Sequence, residues 1–297
     1  MIEKEIKTLI YKQGEFIDTS SAGIDIFSQT AHYGFGAFEG IRSYLTNNGV
    51  KLFKAREHFE RLKLSCERVH IPFTWDIDEL IETSYKLLEL NNLKNAYVRP
   101  LVISGPGMDL KINDASEMTI MAWDWDFYQG NKLLKTCISS FERPNPKSAP
   151  VNSKLTGNYI NSILATADAT KNGFDDAIQL DTRGFIAEAP GANLFIEKNG
   201  RLYTPEVSEY ILAGITRGTI IKIAQQLDIE VVERNLTVEN FKNADSAFLC
   251  STAAEVVGIG SVDEVTFSTN FSDTLGGTLQ KAYKNLVLDK LSFEVII

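Results

Sequence analysis

The sequence predicts a mixed fold of helices and strands (α+β, or loosely α/β) arranged in two domains. The chain has 297 residues, a length at which one hydrophobic core tends to give way to two. Apolar residues recur every second position in some segments and about every 3.6 positions in others, which indicates both strands and amphipathic helices. The two kinds of segment alternate without a regular βαβ period, so we do not expect a doubly wound parallel sheet.

The first third of the chain predicts short strands and two helices. Within 55–71, Phe59, Leu62 and Cys66 recur at spacings of three and four, which predicts a helix with one buried face, ended by Pro72. The other elements expected here are strands at 8–11, 16–17, 38–45, 50–53, 97–103 and 118–125, and a second helix over 76–90.

A polar stretch at 125–134, which contains aromatic residues and a glycine, is the expected interdomain linker. It separates a smaller N-terminal domain at 1–124 from a larger C-terminal domain at 135–297. The elements expected beyond it are strands at 133–140, 177–180, 185–187, 194–196, 229–232 and 247–249, helices within 157–172, 216–227 and 275–288, and a turn at Asn199-Gly200.

Charge and cysteine content exclude several classes of function. The chain carries 30 Lys and Arg against 39 Asp and Glu, which disfavours nucleic acid as a partner because phosphate-backbone binding needs a basic surface. The three cysteines form no CxxC pair, so neither a disulfide framework nor a metal site is expected. The sequence shows no signal-peptide pattern and no 18-residue apolar run, which predicts a cytoplasmic protein with no membrane contact.

Several segments have two interpretations when each is taken alone. The segment that begins at Gly214 opens a helix, whose N-terminus either holds a phosphate or is an ordinary cap. The small residues after Ser251 either expose N–H groups to a carboxylate or permit close packing. Each taken alone, Lys154, Glu188 and Arg61 are most simply interpreted as ordinary charged side chains in contact with solvent.

Seven short segments follow one another in a fixed order. They are His32-Tyr33-Gly34 with Phe38-Glu39-Gly40-Ile41-Arg42; Glu57-His58 with Arg61-Leu62; Ala96-Tyr97-Val98-Arg99-Pro100; Lys154 with Gly157-Asn158-Tyr159; Glu188 with Asn193-Leu194-Phe195; Gly214-Ile215-Thr216-Arg217; and Ser251-Thr252-Ala253-Ala254-Glu255. Together they resemble the class IV (fold type IV) pyridoxal-phosphate aminotransferases, most closely the branched-chain amino acid aminotransferases. The resemblance covers nearly the whole chain and implies the two-domain fold type IV architecture, in which the larger C-terminal domain binds the cofactor.

The resemblance implies that pyridoxal phosphate is the cofactor. Lys154 matches the lysine that forms the Schiff base and carries the proton, Glu188 matches the carboxylate at the ring nitrogen, and Tyr159 matches the residue bonded to the phenolic oxygen. No metal is expected. The other residues expected to bind the cofactor are Arg61, Leu212, Ile215, Thr216, Ser251 and Thr252.

The resemblance also implies the substrates. The activity expected is ping-pong transfer of an amino group from L-leucine, L-isoleucine or L-valine to 2-oxoglutarate. The expected assembly is a homodimer or a higher homo-oligomer. Arg99 matches the position that receives the distal carboxylate, while the N–H groups of Ala253 and Ala254 would bind the α-carboxylate. The residues expected to line the apolar part of the substrate pocket are Tyr33, Phe38, Gly40, Tyr97, Trp125 and Tyr128.

Three alternatives stay open at this point. D-amino acid aminotransferases and aminodeoxychorismate lyases tend to carry a Gly-Asp-Gly segment where this chain has the branched-chain pattern at 33–42. A non-catalytic paralogue is disfavoured because it has no reason to keep Lys154, Glu188 and the other matching side chains together. One departure is Ala192, where the family often has Glu, and it bears on local hydrogen bonding and fine specificity.

Overall fold

The computed structural model describes residues 9–125 and 132–290, which form two compact units. The first unit is Met1–Phe127 with Ser153–Gly157, and the second is Tyr128–Asn152 with Asn158–Ile297. The sequence pattern placed the whole of 135–297 in one domain, whereas the structure returns a five-residue segment to the first unit. This segment belongs to the first unit because Leu155 is apolar and packs into the core of that unit. Most of the predicted linker at 125–134 lies outside the described residues.

The first unit is built on an antiparallel sheet. In spatial order its strands run β2-β1-β7-β6-β4-β5, with β3 also paired to β6. The predicted strand at 38–45 is two strands, β3 and β4, separated by Glu39 and Gly40. The strand bounds within the described residues are β1 Leu9–Lys12, β2 Glu15–Asp18, β3 Gly36–Phe38, β4 Ile41–Thr46, β5 Gly49–Leu52, β6 Ala96–Ser104 and β7 Ser116–Asp124.

Two long helices cover one face of this sheet. They are α2 (Ala55–Arg68) and α3 (Ile77–Leu90), preceded by the short α1 (Gln29–Tyr33), which the sequence pattern did not predict. The predicted stripe comprises Phe59, Leu62, Cys66 and Val69; the first three are fully buried, whereas Val69 is half-buried and follows the end of α2. Burial of each such side chain contributes roughly 1.5–3 kcal/mol to stability. The core of the first unit therefore holds α2 in a fixed position on the sheet.

The second unit contains a mixed sheet in the order β10-β9-β8-β15-β14-β11-β12-β13, with β16 paired to β15. The pairs β8–β9, β8–β15 and β12–β13 are parallel. The sequence pattern missed β15, because glycines at 258 and 260 are unfavourable in strands in general. The strands described are β8 Leu134–Ile138, β9 Asp176–Leu180, β10 Ile186–Glu188, β11 Asn193–Lys198, β12 Arg201–Thr204, β13 Val231–Glu233, β14 Ser246–Ser251, β15 Glu255–Val262 and β16 Val265–Thr266.

Helices pack on this second sheet and fix the loops at its strand ends. Within the described residues they are α4 Tyr159–Lys171, α5 Ile215–Gln226, α6 Val238–Lys242 and α7 Leu275–Val287. The core beneath them is formed by residues such as Leu194, Leu249 and Ile259, all nearly inaccessible to solvent. No helix across 9–125 and 132–290 has the length and apolar character needed to span a membrane.

Candidate active site

Lys154 is fixed in the first unit by backbone hydrogen bonds on both sides. Its N–H donates to Ser65 Oγ on α2 at 3.1 Å, and its carbonyl oxygen accepts from the Phe38 N–H at the end of β3 at 3.0 Å. Leu155, the next residue, is buried in the core. The Lys154 Nζ lies 4.8 Å from the centre of the Phe38 ring. This half-buried lysine is therefore held in place, unlike a solvated surface charge.

A fully buried carboxylate, that of Glu39, lies beside Arg61. The Arg61 Nε donates to Glu39 Oε1 at 2.6 Å and an Arg61 terminal nitrogen donates to Oε2 at 2.9 Å. Burial alone would raise the pKa of the Glu39 carboxyl, but attraction to Arg61 and His58 and the hydrogen bonds from both hold the pKa well below its usual range. Glu39 is therefore ionised and fixes the plane of the Arg61 guanidinium.

His58 completes this cluster as a neutral ring. Its Nδ1 lies 2.7 Å from Glu39 Oε2. Burial lowers the pKa of His58 despite the attraction of Glu39, and the charges of Arg61 and Lys154 lower it further. Because an ionised carboxylate only accepts hydrogen bonds, we assign the proton of the neutral ring to Nδ1.

Arg99 lies among aromatic rings on one face of the first sheet. Its guanidinium carbon is 4.7 Å from the centre of the Phe38 ring, 5.2 Å from that of Tyr97 and 5.8 Å from that of Trp123. Trp125 contacts Tyr97 at 5.2 Å between ring centres. The Arg99 Nε is buried and has no hydrogen-bond partner among the described residues. Arg99 therefore combines apolar surroundings with a buried N–H donor. Among the rings around it, Trp123 is the one that the sequence pattern did not identify.

The other residues expected at the substrate pocket differ in placement. A Cβ at Gly40 would overlap the Tyr97 hydroxyl, so only glycine fits there. Tyr33 is 52% exposed and donates its hydroxyl to the Met108 carbonyl oxygen at 2.9 Å. No ring contact or hydrogen bond of Tyr33 in the described part of the chain reaches the rings around Arg99. Tyr128 lies outside the described residues.

The second unit buries Glu188 at the end of β10 with three kinds of donor. An Arg143 terminal nitrogen lies 3.0 Å from Glu188 Oε1, the Asn193 side-chain amide donates at 3.1 Å and the Leu212 N–H lies 3.3 Å from both carboxylate oxygens. Glu188 is 5% exposed and Arg143 is 6% exposed. The carboxylate is therefore stabilised in its charged form by a cation and two amide groups.

Arg143 was not predicted as a functional residue. It follows β8 in a proline-containing loop, where an arginine is usually solvated. Its N–H donates to the Leu180 carbonyl oxygen of β9 at 2.8 Å, and the Gln179 side chain donates to the Phe141 carbonyl oxygen at 3.2 Å. Only the pairing of the strands brings Arg143 to Glu188, so no local sequence signal marks it.

The N-terminus of α5 has the features of an anion site. Gly214 precedes it in an extended conformation and no side chain caps it. Ile215 and Thr216 form the first turn, where backbone N–H groups and the helix dipole favour negative charge. A Cβ on Gly214 would overlap the Asn193 side-chain oxygen, so a larger residue would displace the amide that donates to Glu188. Arg217 donates to the Pro205 carbonyl oxygen at 2.8 Å and holds this end of the helix in place.

The turn from β14 to β15 carries the remaining expected ligands. Ser251 ends β14, and its Oγ accepts from the Ala254 N–H at 3.2 Å. The Ala254 N–H, expected to bind a substrate carboxylate, thus already has a protein acceptor in this tight turn. Thr252 and Ala253 are half-buried, as is Tyr159 at the start of α4.

These groups fit the chemical needs of pyridoxal phosphate. In the first unit, Lys154 supplies an amine of the kind that an aldehyde needs, and Arg61 supplies a cation of the kind that a phosphate needs. In the second unit, the uncapped N-terminus of α5 presents N–H donors of the kind that bind phosphate. A basic ring nitrogen needs a carboxylate partner, and Arg143 at 3.0 Å favours the charged form of Glu188. Within 9–125 and 132–290, no group of three His, Cys, Asp or Glu side chains is placed to hold a metal ion.

Comparisons with known proteins agree with this chemistry. The model of the family described as amino-transferase class IV matches residues 36–262. The branched-chain-amino-acid aminotransferase of Pseudomonas aeruginosa is 37% identical over 288 residues, which cover 95% of this chain and 94% of the relative. The solved structure of the Escherichia coli branched-chain amino acid aminotransferase superimposes with a TM-score of 0.93 at 34% identity, covering 97% of each chain.

A third similar protein is the branched-chain aminotransferase of the thermophilic archaeon Thermoproteus uzoniensis, solved with norvaline. It has a TM-score of 0.92 and 31% identity, and the match covers 96% of each chain. The expected fold class is confirmed by these structures. The family model covers well over half of the chain, and the curated relatives match along almost their whole length. The chain therefore belongs to the class IV aminotransferases.

Proposed function

We propose that this protein is a branched-chain amino acid aminotransferase, which transfers the amino group of L-leucine, L-isoleucine or L-valine to 2-oxoglutarate. The relatives in Pseudomonas aeruginosa and Escherichia coli carry this name. Another similar branched-chain amino acid aminotransferase has been solved in complex with N-(5'-phosphopyridoxyl)-L-glutamate and with 4-methylvaleric acid. An enzyme that alternates between such ligands needs an apolar pocket that can also pair with a second carboxylate.

The surroundings of Arg99 are the observation that carries this proposal. Phe38, Tyr97 and Trp123 provide apolar surface around its guanidinium, while the buried Nε has no hydrogen-bond partner among the described residues. A branched alkyl side chain packs against the rings, and the distal carboxylate of 2-oxoglutarate pairs with the guanidinium. The same residues therefore accept both partners of the reaction.

Pyridoxal phosphate is the cofactor of this family, and when bound it supplies an electron sink for the electrons left at the substrate Cα. Lys154, Tyr159 and Glu188 are the residues proposed to hold its reactive part. The phosphate is assigned to Arg61, the N-terminus of α5 at Ile215 and Thr216, and Thr252, with Leu212 and Ser251 as supporting contacts.

Lys154 is proposed to move the proton. Its Nζ would carry the proton from the Cα of the amino acid to the cofactor C4′ in the first half-reaction, and from C4′ to the Cα of the oxo acid in the second. The hydrogen bonds of the Lys154 backbone with Ser65 and Phe38 hold its Cα in place, while the side chain is able to turn between these tasks.

Glu188 is proposed to stabilise a protonated ring nitrogen. Arg143 keeps the carboxylate ionised, and Asn193 and the Leu212 N–H fix its two oxygens. The α-carboxylate of the substrate is assigned to the backbone at Ala253 and Ala254. The Ala254 N–H already donates to Ser251 Oγ, so it would have to donate to the α-carboxylate and to Ser251 Oγ together.

Replacing Arg99 with alanine is expected to impair the two substrates unequally. The KM for 2-oxoglutarate should rise about 10- to 100-fold, because hydrogen bonds from a charged group are lost, whereas the KM for L-leucine should change by less than about threefold. Steady-state kinetics with each substrate varied in turn measure both constants. Arg201→Ala, an exposed arginine on β12, is the control and should leave both constants unchanged. Equal losses for both substrates would remove Arg99 from this role.

Product identification tests the proposed activity against the alternatives in the class. The holoenzyme is incubated with 2-oxoglutarate and either L-leucine or D-alanine, and products are separated by chiral chromatography. We expect L-glutamate and 4-methyl-2-oxopentanoate from L-leucine. Turnover of D-alanine with no product from L-leucine would support a D-amino acid aminotransferase. No product from either amino acid would contradict both the branched-chain and the D-amino acid aminotransferase activities.

Assembly and location are part of the proposal. The family resemblance supports a homodimer, and the three cysteines, all free in the structure, support a reducing compartment such as the cytoplasm. Light scattering coupled to gel filtration should give twice the protomer mass of 33.1 kDa, and a particle with the protomer mass would contradict the dimer.

A further inference from the structure

We propose that Glu39 is a positioning residue, which orients the guanidinium of Arg61 toward the cofactor phosphate and links that contact to the substrate-binding strand. The inference rests on the proposed role of Arg61 in binding the phosphate. Glu39 stands in a segment that carries the family resemblance, but neither the expected site residues nor the proposed mechanism gives it a role.

The geometry of the pair favours orientation. Glu39 engages Nε and one terminal nitrogen of Arg61, so a planar group is held at two points. This uses two of the five N–H donors of a guanidinium and fixes the directions in which the other donors point. A group fixed in this way loses less conformational entropy when an anion binds, which favours binding.

The environment of the pair distinguishes it from an ordinary ion pair that another arginine of α2 forms with α3. The Glu39 side chain is inaccessible to solvent and that of Arg61 is 15% exposed. Arg56, earlier on α2, pairs with Asp78, and both of those side chains are at least half exposed. Removing a carboxylate from water is costly, and apolar residues of similar size often give equal or greater stability. A role in stability alone therefore does not account for a buried carboxylate at this position.

The location of Glu39 supplies the link to the substrate. It lies between Phe38 and Gly40, in the break between β3 and β4, and its own N–H donates to the Pro100 carbonyl oxygen at 2.9 Å. Its Oε2 accepts from the Gly40 N–H at 3.2 Å. Arg99 immediately precedes Pro100. One carboxylate therefore joins Arg61 to the strand segments that carry the substrate contacts.

His58 holds the other side of Glu39. Its Nδ1–H donates to Oε2 at 2.7 Å, and His58 is one turn before Arg61 on α2. Together the two side chains fix Glu39 from the same helix, so the carboxylate cannot turn away from Arg61 without losing a buried hydrogen bond.

The test compares pyridoxal phosphate with pyridoxal, which lacks the phosphate, in titrations of the full-length protein stripped of cofactor. For Glu39→Gln we expect affinity for pyridoxal phosphate to fall about 10- to 100-fold, because the carboxamide cannot accept from both nitrogens of Arg61. Affinity for pyridoxal should stay within about threefold of the original protein. Glu57→Gln, an exposed carboxylate on the same helix, is the control and should change neither affinity.

Two results would overturn the inference: unchanged affinity for pyridoxal phosphate, or equal weakening for both ligands, which indicates a general structural effect. Arg61→Lys tests the same point if Glu39→Gln does not fold, because lysine keeps the charge but cannot form the two-point contact. It should lose at least about tenfold in affinity for pyridoxal phosphate alone, and unchanged affinity would contradict us. Arg61→Ala separates the role of Arg61 from that of Glu39. Unchanged affinity for pyridoxal phosphate in Arg61→Ala would contradict the assignment of Arg61 to the phosphate. Unchanged affinity in Glu39→Gln, with weakened affinity in Arg61→Ala, would contradict only the role of Glu39.

Discussion

Replacing Lys154 with alanine is expected to lower kcat/KM for L-leucine by about a thousandfold or more, because the proposed mechanism makes one amine both the attachment point and the proton carrier. The fold should survive the change. The hydrogen bonds at Lys154 that tie the segment to Ser65 and Phe38 are made by the backbone, and the neighbouring Leu155 stays in the core. The loss should therefore appear in turnover and not in thermal stability.

The matched control for this variant is Lys147→Ala, which removes an exposed lysine from the same stretch of chain. Steady-state rates and melting temperatures are measured for both variants. A Lys154→Ala protein that turns over L-leucine within about tenfold of the original rate would contradict the proposed mechanism, since loss of a positioned acid–base group alone costs at least that much.

Replacing Glu188 with glutamine is expected to lower kcat by about 100- to 1000-fold, a typical cost of losing one preorganised electrostatic partner. A carboxamide carries no charge with which to stabilise a protonated ring nitrogen. The free energy of unfolding should also fall, by about 3 kcal/mol, because Arg143 is left buried without its anion. Some cofactor should still bind, since Arg61 and the N-terminus of α5 are unchanged.

Glu142→Gln provides the control for this variant, because Glu142 is an exposed carboxylate next to Arg143 in sequence. Turnover with L-leucine, cofactor content by absorbance and denaturant unfolding are compared across the two proteins. A Glu188→Gln enzyme whose kcat stays within about threefold would show that the carboxylate is not needed at the ring nitrogen.

Local periodicity predicted those parts of the fold in which one face of an element is buried. The stripe at Phe59, Leu62 and Cys66 gave the position of α2, since helical spacing leaves few other arrangements. The strand β15 was missed because glycines are unfavourable in strands in general. The close packing of Gly258 and Gly260 against Leu133, which accounts for them, is a long-range contact that periodicity does not show. The return of Leu155 to the first unit was missed because it depends on long-range burial.

The order of short segments indicated the candidate site, but contacts across the sheets could not be inferred from it. Arg143 reaches Glu188 only because β8 and β9 pair in a particular register. Trp123 joins Arg99 because it is the cross-strand partner of Tyr97. Glu39 stands in one of the matching segments, but its burial could not be predicted, since a carboxylate is expected at the surface unless its partners are known.

The most direct test of the central claim is an absorbance spectrum of the cofactor-loaded protein, recorded alone, after L-leucine without an acceptor, and again after 2-oxoglutarate. The account predicts that the visible band of the bound cofactor disappears with L-leucine and returns with 2-oxoglutarate, since the two half-reactions are separable in a ping-pong enzyme. A band that is unaffected by L-leucine, or that responds to D-alanine alone, would contradict the proposed function.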